Sequence, residues 1–119
     1  MFGTGGVTGE INKETITIGD IEIKNCDFAE ILKEQGDVFI AGYFEGILGL
    51  AFDSMAPAGM HTIFQALKDG NLMDNNQISF YYSLNGAEQA SIMFGGTDPT
   101  KYMGSIDWIP VIPDKKYYW

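Results

Sequence analysis

The sequence predicts a mainly β domain, made of antiparallel sheets with one short amphipathic helix. Three observations lead to this prediction. Apolar and polar residues alternate in two parts of the chain, turn dipeptides follow the alternating runs, and one stretch between them has helical spacing instead. With 119 residues, 45% of them hydrophobic, the composition fits one globular domain that has enough apolar material for a core.

The first alternating part reads ETITIGDIEI, residues 14–23. Ile16 and Ile18 fall on one face of a strand, with threonines between them on the other face, and the alternation resumes after a Gly-Asp turn at residues 19–20. This pattern predicts a β-hairpin. The following CDFAEILKE, residues 26–34, is expected to form a further strand.

The middle of the chain changes period. Between Met60 and Lys68 the apolar residues recur at spacings of three and four, and Asp69-Gly70 supplies a stop signal at the C-terminal end. We therefore predict a helix of two to three turns over this stretch, packed on a sheet over the core.

Alternation by two returns after the helix. Ile78, Phe80, Tyr82 and Leu84 share one face of a predicted strand. Two more antiparallel strands are predicted behind turn residues, SIMF at residues 91–94 and GSIDWIPV at residues 104–111.

Glycines interrupt an apolar run in GYFEGILGLAF, residues 42–52, at Gly42, Gly46 and Gly49. Inside a strand, glycine marks a bulge, a bend or a place where another backbone or a ligand approaches too closely for a side chain. The run is therefore expected to be a buried strand that lies where chains cross.

Charge and motifs exclude several function classes. The formal charge is −9, from 16 acidic and 7 basic residues, and no basic stripe is available to neutralise phosphates. No nucleic-acid partner is expected, and no run is long and apolar enough to span a membrane or serve as a signal peptide. GTGGVTG, residues 3–9, lacks the glycine spacing of a dinucleotide loop, and a hairpin follows it where a helix is required.

Single cysteine and histidine residues limit the chemistry further. Cys26 cannot form a disulfide within these residues, although a partner elsewhere is possible, and a half-buried thiol is the expected role. His61 is expected to be a structural or surface residue, because one histidine cannot make a multi-histidine metal site and no Cys, Asp or Glu follows it at ligand spacing. No metal site and no cofactor are predicted.

Together the motifs resemble the pepsin-like aspartic proteases, in particular the cathepsin D type. FGTGGVTG is similar to the family's flap, and GDVFIAGYFEGILGLAF to the region that ends in Phe-Asp-Gly-Ile-Leu-Gly-Leu. IFQALKDGNL resembles the helix that follows, and FGGTDPTKYMGSIDWIPV with the closing YYW resembles the last strands of the N-terminal lobe. The order and spacing of these motifs make the resemblance specific along the whole sequence.

This resemblance implies that residues 1–119 form part of an N-terminal lobe, from the flap to the crossover between lobes. It also implies that Ile47-Leu48-Gly49 belongs to a psi loop, a crossed loop beneath a catalytic aspartate. The glycines of the apolar run would then lie where strands meet.

The family's chemistry is peptide hydrolysis by two aspartates that share a proton and hold a water molecule between them. Each aspartate lies in an Asp-Thr-Gly or Asp-Ser-Gly motif, and neither motif occurs here. The nearest match is Asp53-Ser54-Met55, which lacks the glycine. The sequence therefore predicts no catalytic residue within these 119 residues.

Substrate contacts are the role that the resemblance implies for six residues: Phe2, Gly3, Thr4, Val38, Phe44 and Ile47. Gly3 and Thr4 would bind substrate backbone from the flap. The three later residues would line an apolar pocket for the side chain before the cut bond, although each could instead belong to the core. Phe2 departs from the family's tyrosine and keeps only the ring of that residue.

The sequence thus predicts a part of an acid endopeptidase that acts on peptides or proteins together with the rest of the same protease chain. The resemblance implies a lysosomal, vacuolar or secreted location. A catalytically inactive relative that binds peptides or serves as a structural β module is the alternative, and an unrelated β-rich carbohydrate-binding or peptide-binding domain is a third.

Overall fold

The computed structural model has the predicted mainly β architecture, with two antiparallel sheets and short helices. It describes residues 5–40, 42–57, 59–86 and 88–111, apart from the side chains of Val38 and Ile40. In this part of the chain no helix is long and apolar enough to cross a membrane, and no cluster of three potential metal-ligating side chains occurs.

The first sheet is a long hairpin. Strand β1, Gly6–Ile18, pairs antiparallel with strand β2, Ile21–Gln35, and the two-residue turn between them lies where the sequence predicts it. Residues 26–34 continue β2 and are not a separate strand, because their backbone stays paired with β1 through two register shifts. Thus the hairpin is confirmed and is longer than the alternating pattern alone indicates.

The second sheet pairs strand β3, Ile78–Tyr81, with strand β4, Ser91–Phe94. Both strands were predicted, but β3 ends three residues before the predicted Leu84. The prediction of a strand at residues 104–111 is wrong, since this stretch has no regular structure. It has no neighbouring strand among the described residues to supply a hydrogen-bonded ladder, and Pro110 has no N–H to donate to one.

The described residues contain two α-helices. Helix α1 is the short Asp37–Ile40, and helix α2 is Ile63–Asp69, which begins three residues later than predicted. The later start has a local cause: the side chain of Thr62 caps the helix by accepting a hydrogen bond from the backbone N–H of Gln65 at 3.2 Å. Thr62 and Gln65 have the spacing of a capping box, a signal in the sequence that would have placed the start correctly.

The core lies between the first hairpin and α2, as predicted for a helix that packs on a sheet. Its buried members are Ile23, Cys26, Ile63 and Leu67. Partly buried side chains surround this centre, among them Leu50 from the glycine-containing run and Phe94 from β4. The alternation of the first hairpin explains the arrangement, because it turns one face of the hairpin towards the helix.

Residues 42–52 differ from the prediction of a buried strand. The run has no strand, most of its side chains are exposed, and a side chain added at Gly46 or Gly49 would meet no atom within 4 Å. The expected crossing of chains at these two glycines is therefore not found among the described residues. The physical reason is that no other described strand pairs with the run, so its backbone is not drawn into a sheet.

Candidate functional site

The six residues predicted to contact substrate fall into two groups in the structure. Phe2, Gly3 and Thr4 lie outside the described residues, as does the side chain of Val38, whose backbone belongs to α1. Phe44 and Ile47 are described, and their side chains are 48% and 56% exposed. Neither of these two is a core residue in the described structure, so the alternative that they serve only the core is not supported there.

A close contact at Gly5 connects the start of β1 with α1. Gly5 is buried, and a Cβ atom built on it would lie 2.6 Å from the Cε2 atom of Phe39. Only glycine fits so close to the ring of Phe39 unless that ring moves. The contact places Gly5, which belongs to the segment that resembles the flap, against the residue that directly follows Val38.

A second close contact positions the ring of Phe44. A Cβ atom at Gly42 would lie 2.5 Å from the Cε1 atom of Phe44, so the ring folds back over the backbone of Gly42. The glycine thus has a packing role, as predicted, but its neighbour is a side chain of the same run and not another backbone. This arrangement gives Phe44 a backbone support while leaving about half of its side chain accessible.

Four apolar side chains of this run are exposed, and we call them together the apolar run surface. It consists of the side chains of Tyr43, Phe44, Ile47 and Leu48. Tyr43 and Leu48 were not among the predicted site residues, because a buried strand was predicted for this run. Such a surface can bind apolar side chains, and full burial of one of them is worth about 1.5 to 3 kcal/mol.

The structure gives Asp53, the nearest match to a catalytic motif, a structural role. This residue opens a 3-10 turn, Asp53–Met55, and its Oδ1 atom accepts hydrogen bonds from the backbone N–H and the hydroxyl of Thr62 at 2.9 and 2.6 Å. Asp53 therefore holds the residue that caps α2. Asp53 lacks the glycine of a catalytic motif, and its hydrogen bonds explain its presence without a catalytic role.

His61 connects the same turn to β2. Its Nδ1 atom donates to Oδ2 of Asp53 at 3.0 Å, and its backbone N–H donates to Oδ2 of Asp27 at 3.0 Å. The other carboxylate oxygen of Asp27 pairs with the ammonium of Lys13 on β1. The structural or surface role predicted for His61 fits this geometry, although its partners are distant in sequence and no local spacing pointed to them.

The pKa shifts of this cluster differ from those of a shared-proton carboxylate pair. The hydrogen bond from Lys13, with that from His61, lowers the pKa of Asp27. Burial alone would raise the pKa of Asp53, but the hydrogen bonds from Thr62 and His61 outweigh it and lower that pKa. When two carboxyl groups share a proton, the pKa of one of them is strongly raised. The lowered pKa values of Asp27 and Asp53 therefore fit charge pairing.

Comparisons with known proteins place the whole chain in one family. The model of the family described as eukaryotic aspartyl protease matches residues 1–119. Pepsin-2B from Gadus morhua is 39% identical over 118 residues, which are 99% of this chain and 36% of the relative. Cathepsin D from Gallus gallus is 36% identical over 120 residues, and cathepsin E from Mus musculus is 35% identical over 121, each match covering 30% of the relative.

The matches confirm the resemblance to pepsin-like aspartic proteases but do not identify one type within that family. Pepsins, cathepsin D and cathepsin E have similar identities to this chain, so the comparison does not distinguish the cathepsin D type from the other two. The chain spans about a third of the length of these curated relatives.

Proposed function

Because this chain belongs to the family of eukaryotic aspartyl proteases, we propose that it is part of an acid endopeptidase and forms a substrate-binding wall of that enzyme. The observation that carries the proposal is the family match along all 119 residues. The chain contains neither an Asp-Thr-Gly nor an Asp-Ser-Gly motif, so both catalytic aspartates would come from other parts of the polypeptide. Within the family, the motifs favour the cathepsin D type and the second half of the N-terminal lobe.

In this proposal Phe2, Gly3 and Thr4 contact the substrate from the flap, residues 2–9, and Val38, Phe44 and Ile47 line the pocket for the substrate side chain before the cut bond. Two contacts support the assignment. Gly5, which lies in the flap segment, contacts Phe39 next to Val38, and Gly42 supports the accessible ring of Phe44. Peptide backbone would bind to the flap while an apolar side chain lies on the apolar run surface.

The residues assigned here bind and orient the peptide, and they exclude water when the flap closes. The family's carboxylate pair would supply the chemistry, with one carboxylate taking a proton from water and the other giving a proton to the leaving amine. An acidic working range follows from this pair, because it must hold one shared proton. The resemblance implies a lysosomal, vacuolar or secreted location.

The proposal is tested on the full-length protein with peptides that differ only in the residue before the cut bond, phenylalanine or alanine. We expect hydrolysis at acidic pH with a preference for phenylalanine. Phe44→Ala and Ile47→Ala should each reduce kcat/KM for the phenylalanine peptide about tenfold or more, and for the alanine peptide much less, because a lost apolar contact of about 1.5 kcal/mol or more affects only the large side chain.

Met103→Ala is the matched control, because this apolar side chain is exposed and lies far along the chain from the proposed pocket residues. It should leave the preference unchanged. Binding of the peptides without hydrolysis would favour the alternative of a catalytically inactive relative. An equal loss of kcat/KM for the phenylalanine and alanine peptides in the Phe44 and Ile47 variants would contradict the pocket assignment.

A further inference from the structure

The start of α2 is held by a cluster of charged and polar groups from three elements, and His61 lies at its centre. His61 is the only histidine in the sequence. Its imidazole bonds to Asp53 in the 3-10 turn, its backbone N–H bonds to Asp27 on β2, and its neighbour Thr62 caps α2. One residue therefore joins the helix, the turn and the first hairpin.

The charges around the imidazole are mostly negative. Asp53 faces it directly, and Asp27 and Asp69 attract it from β2 and from α2 itself. Lys13 is paired with Asp27. Lys24 and Glu22 line, together with His61, a groove of about 490 Å³ between the hairpin and α2. A positive charge on the imidazole is therefore attracted by three carboxylates, and the nearby Lys13 is already paired with one of them.

We propose that His61 is an acid-strengthened clamp, whose protonation tightens the attachment of the first turn of α2 to the 53–55 turn. The clamp acts on the fold because His61 lies just before α2, whose buried residues Ile63 and Leu67 belong to the core. A neutral imidazole can still donate one hydrogen bond to Asp53, whereas the protonated ring adds the attraction of opposite charges. The attachment is therefore stronger at acidic than at neutral pH.

The direction of the pKa shifts agrees with this geometry. The hydrogen bond to Asp53 raises the pKa of His61, with attraction to Asp53, Asp27 and Asp69 adding to it and burial opposing it. A raised histidine pKa gives stability that is complete below the unfolded value of about 6.5 and is lost as the pH rises through the folded pKa.

Asp27 and Asp53 set the lower end of the pH range in which the clamp acts. The pKa values of Asp27 and Asp53 are lowered in the folded protein. Their contribution to stability is therefore complete above the unfolded pKa of about 3.9, and it is lost as the pH falls through the folded pKa values. The clamp therefore acts most strongly between about pH 4 and pH 6.5. It concerns local stability and does not depend on proteolytic activity.

Amide hydrogen exchange of residues 62–69 in the full-length protein tests the clamp, with protection factors compared at pH 5 and pH 7.5. Protection should be about two- to fivefold higher at pH 5, the range for a partly exposed charge pair. The variant His61→Gln should lose this pH dependence and keep protection similar to that of the wild type at pH 7.5. Glutamine offers Asp53 a neutral donor, and the backbone N–H to Asp27 is unaffected.

Asp20→Asn is the control, because Asp20 is exposed in the turn of the first hairpin and its loss removes one negative charge outside the cluster. It should keep the wild-type pH dependence. A second measurement is independent of whether the His61 variant folds: NMR titration of the His61 imidazole, in which Asp53→Asn should lower its pKa. Equal pH dependence in wild type and His61→Gln, or an unchanged titration in Asp53→Asn, would overturn the proposal, whatever the outcome of the protease assay.

Discussion

The first hairpin with α2 and the apolar run at residues 42–52 are both rich in apolar side chains, yet they differ in burial. Ile23 and Leu67 are 1% and 0% exposed, whereas Phe44 and Ile47 are about half exposed. In the hairpin, pairing satisfies the backbone and turns one face towards the helix. The run has no paired strand among the described residues, and the side chains of Phe44 and Ile47 stay accessible although Leu50 of the same run packs against the core. Apolar content alone therefore does not decide which segment builds the core and which stays exposed.

The largest predicted effect concerns catalysis, which neither region supplies. Residues 1–119 expressed alone should have no measurable peptide hydrolysis at any pH, because they contain no Asp-Thr-Gly or Asp-Ser-Gly motif. An assay of denatured haemoglobin cleavage between pH 2 and pH 8 checks this. Cleavage that is inhibited by pepstatin would show that a catalytic pair was overlooked in these residues.

The second prediction concerns the isolated chain as a folded unit. Its described sheets have two strands each, and their unpaired edges and the apolar run surface are open to other chains. We expect residues 1–119 alone to aggregate or to unfold without a sharp transition. Light scattering and thermal circular dichroism measure this. A reversible, cooperative transition of a monomer would mean that the first hairpin and α2 are sufficient for independent folding.

A pair of leucine substitutions in the full-length protein sharpens the comparison itself. Leu67→Ala should reduce the free energy of unfolding by about 2 to 5 kcal/mol, because Leu67 is fully buried in the core. Leu48→Ala removes the same atoms from the apolar run surface, where the side chain is half exposed. This substitution should change the free energy of unfolding by about 0.5 kcal/mol or less. Denaturant unfolding gives both values. Similar losses would mean that the run is buried in the full-length protein.

The smallest predicted effect is on turnover. Phe2→Tyr in the full-length protein restores the hydroxyl that the family has at this position, and one hydrogen bond of about 0.5 to 1.5 kcal/mol would raise kcat/KM a few-fold to about tenfold if it forms in the closed complex. The melting temperature should change little, because the benefit arises with bound substrate. Kinetics at acidic pH and thermal unfolding of both forms measure these effects. An equal or lower kcat/KM would show that flap closure does not use this hydroxyl.

Local patterns predicted the elements that carry a local signal in the sequence. The hairpin around residues 19–20, strand β4 and helix α2 follow from alternation, turn residues and helical spacing, each of which acts over a few residues. The wrong assignments, at residues 42–52 and 104–111, have apolar composition but no partner strand in the described structure. A strand depends on its neighbour for hydrogen bonds, so composition alone could not determine these segments.

For the candidate site, too, some features were predicted from the sequence and others appear only in the structure. The role of Phe44 and Ile47 as pocket residues was predicted by family resemblance, and it stays a prediction, as do the roles of Phe2, Gly3, Thr4 and Val38. The contacts of Gly5 with Phe39 and of Gly42 with Phe44 appear only in the structure. The sequence could indicate that glycines are needed, but not which side chain approaches them.

By itself, the sequence determined the mainly β class, the family and the absence of both catalytic motifs from these residues, because composition, alternation and short motifs are properties of neighbouring residues. Only the tertiary structure decided that Asp27, Asp53 and His61 meet. These residues are separated by up to 34 positions, and the hydrogen bond from His61 to Asp27 requires that β2 and the start of α2 lie side by side. Non-local contacts of this kind depend on how whole elements dock, which no local pattern records.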